Sequence, residues 1–201
     1  MLTLATECLL LQLHDIEVTI HEIGLSQAPT IFSNVTNDRF ECLYTCLKAV
    51  KHWFDVFLSV APAEFVGTSS FICAQLTHCC SVLWNLSTFK FLSGWDCGLV
   101  QEHIDVPSLC ERMETQFAQV KDAAGLHIES SQDRDFFGVM AYRVSCMKDL
   151  WDTIVSTTTA TCDTPVSSAL PDLPNVVLGP LWHGHDSPSD SSVAGPGNAR
   201  T

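Results

Sequence analysis

Basic residues are scarce in this chain. Its 201 residues include 10 Lys and Arg against 23 Asp and Glu, which gives a formal net charge of −13 at pH 7. Proteins that bind DNA gain much of their affinity from Lys and Arg side chains that neutralise phosphates. An acidic chain without a basic cluster is therefore a poor candidate for binding DNA, an anionic membrane surface or calmodulin.

Zinc-binding cysteine spacing is also lacking, although cysteine itself is abundant. No two of the ten cysteines have the C-x-x-C spacing of a zinc knuckle. Most lie in apolar helical runs, where a free cysteine behaves as a small hydrophobe. We predict buried, reduced thiols, as in cytosolic or nuclear proteins, with disulfides and a metal site as the two alternatives. The ten are Cys8, Cys42, Cys46, Cys73, Cys79, Cys80, Cys97, Cys110, Cys146 and Cys162.

Long apolar runs, targeting signals and catalytic motifs are missing as well. No apolar stretch approaches the ~20 residues of a membrane span. The first 17 residues have neither a basic n-region nor a small-residue cleavage site. The sequence has no P-loop, no G-x-G-x-x-G and no G-x-S-x-G. We predict no membrane association and no enzymatic activity.

Apolar residues are plentiful, at 46% of the chain, and they recur with a helical period. Helices are predicted over 1–25, 39–60, 69–89, from Asp105 to Gly125, and over 134–157. Segment 26–38 is a predicted loop and 93–98 a predicted break. Strand alternation is nowhere sustained. The expected fold is all-α, an irregular array of about five packed helices in a domain at 1–157, with a disordered tail at 158–201 rich in Pro, Gly, Ser and Asp.

Local signals support these helices. In the first helix, apolar residues recur at steps of three and four: Leu9, Leu13, Ile16, Ile20 and Ile23. The strongest stripe, in 39–60, includes Phe54 and Phe57, and it must pack against another element. The helix at 69–89, with Trp84, is apolar over much of its circumference, which indicates a central position. Asp38 and Asp105 are predicted N-caps, and Pro107 suits a first helical turn.

Three groups of polar residues have a spacing that suggests metal or thiol chemistry. They are His14, Glu17 and His21 on one helical face; His78 before Cys79 and Cys80; and His183, His185 and Asp186 near the C-terminus. The first group lacks the second ligand set of a di-iron bundle. Adjacent helical residues such as His78 and Cys79 do not face each other. We therefore assign no catalytic, cofactor-binding or metal-binding residue, and we predict no cofactor.

Several short segments follow one another in a recognisable order. They are Cys42-Leu43, Cys46-Leu47-Lys48-Ala49, Phe54-Asp55, Phe57-Leu58, Gln75-Leu76, Leu86-Ser87 and Gly94-Trp95-Asp96. Together with the preceding helix and the helical run Phe136–Trp151, this pattern resembles the C-terminal regulatory region of fungal zinc-binuclear-cluster transcription regulators. We interpret Gly94-Trp95-Asp96 as a helix–helix turn with a buried indole.

The resemblance implies the regulatory or interaction part of a transcription regulator, in the nucleus and within a secondary-metabolite gene cluster. Expected partners are other regulator chains or the transcription machinery, a homodimer included. The family's DNA-binding module, two C-x-x-C-x6-C halves that hold two zinc ions, is absent from this sequence. We therefore expect no direct DNA binding, and interpret the chain as a fragment, a truncated product or a shortened paralogue.

Two other classes of function stay open at this stage. One is a stand-alone helical interaction protein that modulates a full-length regulator. The other is a small helical enzyme or metalloprotein.

Overall fold

The computed structural model describes residues 3–26, 37–68, 70–126 and 136–160. All regular structure in these ranges is helical, which confirms the all-α prediction. The α-helices are α1 (Leu4–His21), α2 (Asn37–Phe57), α3 (Ser70–Thr88), α4 (Cys97–His103), α5 (Val106–Ala123) and α6 (Phe136–Ala160). Two short 3-10 helices follow α1 and α2, at Glu22–Leu25 and Pro62–Gly67.

The helices pack as two pairs joined by a shared core. Helix α1 lies along α2, and α3 contacts both of them. Helix α5 lies along α6 and also against the 3-10 helix Pro62–Gly67, while the short α4 contacts α2 and α3. One cluster of buried apolar side chains runs through all six α-helices. The array is irregular rather than a symmetric bundle, because the short α4 and the two 3-10 helices pack among the longer helices.

Phe57 connects the two pairs of helices. Its ring stacks on Trp53 at a centroid distance of 5.1 Å, meets Phe65 at 5.1 Å and lies 6.0 Å from Phe117. Phe54 lies edge-on to Trp53 at 5.3 Å. These four Phe rings and the Trp53 indole are all buried, as expected for the strongest apolar stripe of the sequence. This aromatic cluster is the centre of the fold.

Local capping signals place α5 as predicted. The Asp105 carboxylate accepts a hydrogen bond from the backbone N–H of Ser108 at 3.2 Å, and Pro107 occupies the first turn. Gly125 follows the helix with φ of +67°, a left-handed conformation that glycine adopts at little cost.

Other boundaries differ from the predicted ones. Helix α2 begins at Asn37, so Asp38 lies in its first turn and is not its N-cap. The helix ends at Phe57 rather than at 60, because the following residues turn and the Gln116 side chain donates to the Val60 carbonyl at 2.6 Å. Helix α4 has no counterpart among the predicted helices, so the described residues contain six α-helices, one more than the expected count of about five. Helix α6 continues to Ala160, and the rest of the predicted tail lies outside the described residues.

Candidate interaction surface

The apolar residues that recur in the first helix lie on the outer face of the molecule. Their spacing is four, three, four and three residues, so at about 100° per residue they share an arc of about 80°. Their exposed fractions run from 42% to 71%. Four lie on α1 and the fifth in the 3-10 turn after it. We call Leu9, Leu13, Ile16, Ile20 and Ile23 the outer stripe.

The opposite face of α1 is buried. Leu11 and Val18, two turns apart, have no exposed surface and belong to the main apolar core. The thiol of Cys46 on α2 approaches the Val18 carbonyl to 3.9 Å. Leu11 and Val18 lie about 180° around the helix from the outer stripe. The described core is thus built without the five outer side chains.

The end of α1 is held close to α2, which fixes the outer stripe in place. Gly24 is buried, and a Cβ there would lie 3.0 Å from the Leu43 side chain. Arg39 on α2 donates through Nε to the Gly24 carbonyl at 2.8 Å and through Nη2 to the Ser26 carbonyl at 2.6 Å. These contacts hold the 3-10 turn, and with it the C-terminal end of α1, against α2.

His78 on α3 ties α1 and the 3-10 turn together. Its Nδ1 lies 3.0 Å from Asp15 Oδ1, and its Nε2 lies 2.9 Å from Glu22 Oε2. Burial lowers the pKa of His78, but the hydrogen bonds and negative charges of the two carboxylates outweigh this effect, so the pKa is raised. Both ring nitrogens therefore donate when the imidazole is protonated. When His78 is protonated, it forms a charged bridge between α1 and the 3-10 turn.

The polar groups considered in the sequence do not form a metal centre in the part of the chain that is described. His14 Nδ1 pairs with Glu17 Oε2 at 2.9 Å, whereas His21 turns toward Cys42, with 3.8 Å between Nδ1 and Sγ. The carboxylates on His78 bind opposite sides of its ring and share no common point. No group of three or more His, Cys, Asp or Glu is placed to hold an ion within these ranges. His183, His185 and Asp186 lie outside the described residues.

The nine described cysteines are free. Burial is the main cause that raises the pKa of Cys46 and of Cys110 to about 12, and it raises the pKa of Cys79 well above its ordinary value. Such thiols stay protonated at neutral pH and are poor nucleophiles. Both nitrogens of His78 face carboxylates rather than Cys79, so the two neighbours form no thiol–imidazole pair.

The turn between α3 and α4 has the buried indole expected from the sequence. Trp95 Nε1 donates to the Leu86 carbonyl at 2.8 Å, and its ring meets Phe40 edge-on at 5.7 Å. Gly94 has φ of +86°, and the Asp96 carboxylate caps α4 by accepting from Leu99 N at 2.9 Å. These contacts are structural, since they satisfy the indole and join two helices.

An open groove of about 500 Å³ lies between residues 58–62 and α5. Its lining mixes Leu58, Val60 and Pro62 with polar side chains such as Arg112. Neither His nor Cys is among the residues that line it. The groove is a weaker candidate than the outer stripe, because two of its polar side chains already have partners: Gln116 donates to the Val60 carbonyl and Glu111 pairs with Lys148.

None of the described helices is long and apolar enough to cross a bilayer.

Comparisons with known proteins identify the kind of domain. A family model described as a C-terminal domain, ATEG07667_C, matches residues 62–178. The transcription factor opdL of Penicillium oxalicum is 32% identical over 138 residues, which are 68% of this chain and 24% of that protein. The chain thus spans about a quarter of that relative's length. No solved structure matches.

The family match includes α3, α4, α5 and α6 and begins with the 3-10 helix Pro62–Gly67. It covers more than half of the chain, and the similar curated protein is a fungal transcription factor. The chain belongs to the ATEG07667_C family of C-terminal domains and is a C-terminal region of the kind found in fungal transcription factors.

Proposed function

We propose that this domain is the regulatory and interaction part of a fungal transcription regulator. It acts in the nucleus by binding other protein chains through the outer stripe of α1, and it performs no catalysis. The proposal extends to a domain at 1–157, a tail beyond it, and a setting within a secondary-metabolite gene cluster. The observation that carries it is an apolar stripe, exposed on an anchored helix, in a chain whose residues 62–178 match the family of C-terminal domains.

Exposed apolar surface of this kind indicates a binding site. Single exposed leucines are ordinary on protein surfaces, but contiguous apolar patches mark interaction sites. Here five large side chains line one face over about 21 Å of helix, from a rise of about 1.5 Å per residue. Gln12 flanks the stripe on one side, and Glu17 and the half-buried Leu10 flank it on the other, so its margin is partly polar.

Basic side chains are poorly placed for DNA phosphates. Arg39 is directed at backbone carbonyls. Lys51 pairs with Asp55 at 2.9 Å, and Lys148 pairs with Glu111 at 2.5 Å. With a net charge of −13, the chain is poorly suited to release counterions from DNA. We propose that it reaches promoters only through a partner.

A reporter assay tests the role of the outer stripe. The chain is fused to a heterologous DNA-binding domain in a fungal reporter strain, as wild type and with Leu13→Gln, Ile16→Gln and Ile20→Gln combined. We expect the wild type to change reporter output and the triple variant to lose most of that change at equal protein level and melting temperature. Control substitutions Phe71→Gln and Tyr142→Gln, at exposed apolar sites on α3 and α6, should retain it.

Equal reporter output from the triple variant and the wild type would refute the role of the outer stripe.

A second assay tests the absence of DNA binding. Purified chain is titrated against promoter duplexes at physiological salt, and no binding is expected below micromolar concentrations. Sequence-selective binding in the nanomolar range, which is typical of specific DNA binders, would contradict the proposal.

A further inference from the structure

We infer that the groove between residues 58–62 and α5 binds a segment of this same chain, residues 170–176, which follows α6 in the sequence. The segment, Leu-Pro-Asp-Leu-Pro-Asn-Val, binds in an extended conformation. These residues are then part of the folded domain rather than of a disordered tail. The groove lies apart from the outer stripe, so this site does not rest on the proposed function.

The groove has one apolar wall and one polar wall. Leu58, Ala61 and Pro62 line the apolar wall, and each keeps part of its surface exposed. The Gln116 side chain, which donates to the Val60 carbonyl at 2.6 Å, holds this wall beside α5. The wall can therefore bury apolar side chains of another segment.

The polar wall has side chains available to a ligand. Arg112 and Gln119 are exposed, and neither has a partner among the described residues. Glu111, the acidic residue of this wall, is already paired with Lys148. Of the charged residues described as lining the groove, Arg112 is thus the one without a partner. A suitable ligand combines apolar side chains with a negative charge.

Residues 170–176 have this chemistry. Leu170, Leu173 and Val176 recur every three residues, and a polyproline II helix has three residues per turn, so in that conformation they share one face. Pro171 and Pro174 favour the extended conformation in themselves and in the leucines that precede them. Because little conformational entropy is then lost on binding, segments with such prolines are common ligands of apolar grooves.

The segment matches the groove in length. Ser108 and Gln119, both in the groove wall, are about 17 Å apart along α5, at a rise of about 1.5 Å per residue. Leu170 and Val176 are about 19 Å apart in a polyproline II helix, at about 3.1 Å per residue. All three apolar side chains of the segment can therefore lie in the groove together.

Asp172 gives the segment a charge opposite to that of Arg112. It is the acidic residue of 170–176 and lies off the apolar face. With Leu170 beside Ser108, Asp172 is about 6 Å further along the segment, and Arg112 is about 6 Å further along α5. The carboxylate and the guanidinium are therefore in register for an ion pair.

The chain is long enough to bring the segment to the groove. Lys148 of α6 pairs with Glu111 in the groove wall, and Ala160, where α6 ends, is about 18 Å further along that helix. The connection from Ala160 to Leu170 can span about 33 Å when extended. This length is enough to return along α6 and cross α5.

The range of the family match agrees with this arrangement. The match begins at Pro62, in the groove wall, and continues past Ala160 to Leu178. The domain that the family shares therefore includes residues 170–176 as well as the groove that we assign to them.

Photo-crosslinking in the purified full chain tests the contact. A short photoreactive amino acid replaces Gln119, which lines the groove, or Glu114, which is exposed about 140° away around α5. We expect position 119 to form a crosslink within one chain to residues 170–176, mapped by mass spectrometry. Its yield should be several-fold higher than that from position 114.

Exchanging the two charges tests the register. Arg112→Glu alone and Asp172→Arg alone should each lower the crosslink yield from position 119 several-fold, because each brings like charges together. The two combined should recover most of the yield. Asp163→Arg, a matched change outside the segment, should leave the yield as in the wild type.

The apolar face is tested by two further variants. Leu173→Asn should lower the yield several-fold, whereas Val177→Asn, beyond the segment and off its apolar face, should have little effect. Equal yields from positions 119 and 114 would overturn the inference, and so would a double charge exchange that loses as much as the single ones. A crosslink from position 119 that joins two chains would overturn it in favour of binding between copies.

Discussion

Replacing His78 by glutamine should destabilise the domain in a pH-dependent way. The side chain of His78 is 31% exposed and bridges Asp15 on α1 and Glu22 in the 3-10 turn. Its pKa is raised in the folded domain, and the unfolded value is about 6.5. A group with a raised folded pKa stabilises the fold fully below its unfolded pKa and loses this effect as pH rises through its folded pKa. The bridge therefore contributes most at mildly acidic pH.

The size of the effect follows from the hydrogen bonds and their exposure. A hydrogen bond to a charged group contributes about 1.5–3 kcal/mol when buried, while exposed ion pairs contribute about 0.2–1 kcal/mol. Asp15 and Glu22 are 15% and 37% exposed, so this bridge lies between the two cases. We expect His78→Gln to cost about 1–2 kcal/mol at pH 5.5 and less than about 0.5 kcal/mol at pH 9.

Urea unfolding followed by circular dichroism at both pH values measures this difference. In the Asp15→Asn background, the cost of His78→Gln at pH 5.5 should shrink, because one of the two partners is already neutral. An equal cost of His78→Gln at pH 5.5 and pH 9 would refute the charged bridge. A larger cost at pH 9 would mean that the imidazole is bound in its neutral form.

Two further predictions concern the interior. Phe57→Ala should lower stability by about 3–5 kcal/mol, a large share of a typical domain's 5–15 kcal/mol, whereas Leu13→Ala in the outer stripe should change it by less than about 0.5 kcal/mol. Thermal melts of both variants check this, and similar losses would contradict the assignment of inner and outer faces. Cys46 and Cys110, buried and with pKa values of about 12, should react with a thiol reagent only after unfolding. All ten cysteines should react once the chain is denatured without reductant, and fewer would indicate disulfides.

Signals that are local in sequence predicted part of the fold well. Asp105, Pro107 and Gly125 act within one turn of the helix they start or end, so α5 could be located from the sequence. Helix α4 could not. It has only seven residues, too few to show a period, and it depends on the Asp96 cap and on the Trp95 indole held by the Leu86 carbonyl.

The residues of the outer stripe could be predicted from the sequence, but the direction they face could not. Periodicity revealed the apolar residues of α1, but it cannot tell whether an apolar stripe faces the core or a partner. The inner face of α1 is filled by Leu11 and Val18 together with the half-buried Leu4 and Cys8, and these residues pack against side chains of α2 such as Leu43. The His78 bridge joins residues 63 and 56 positions apart, and no sequence pattern carries that information.

Photo-crosslinking in cells tests the central claim, that the outer stripe of α1 is a protein interface, most directly. A photoreactive amino acid is placed at Ile16, within the stripe, or at Tyr142, an exposed site on α6. We predict a crosslinked adduct with another protein chain from position 16 and no comparable adduct from position 142. Equal yields from the two positions, or none from position 16, would contradict the account.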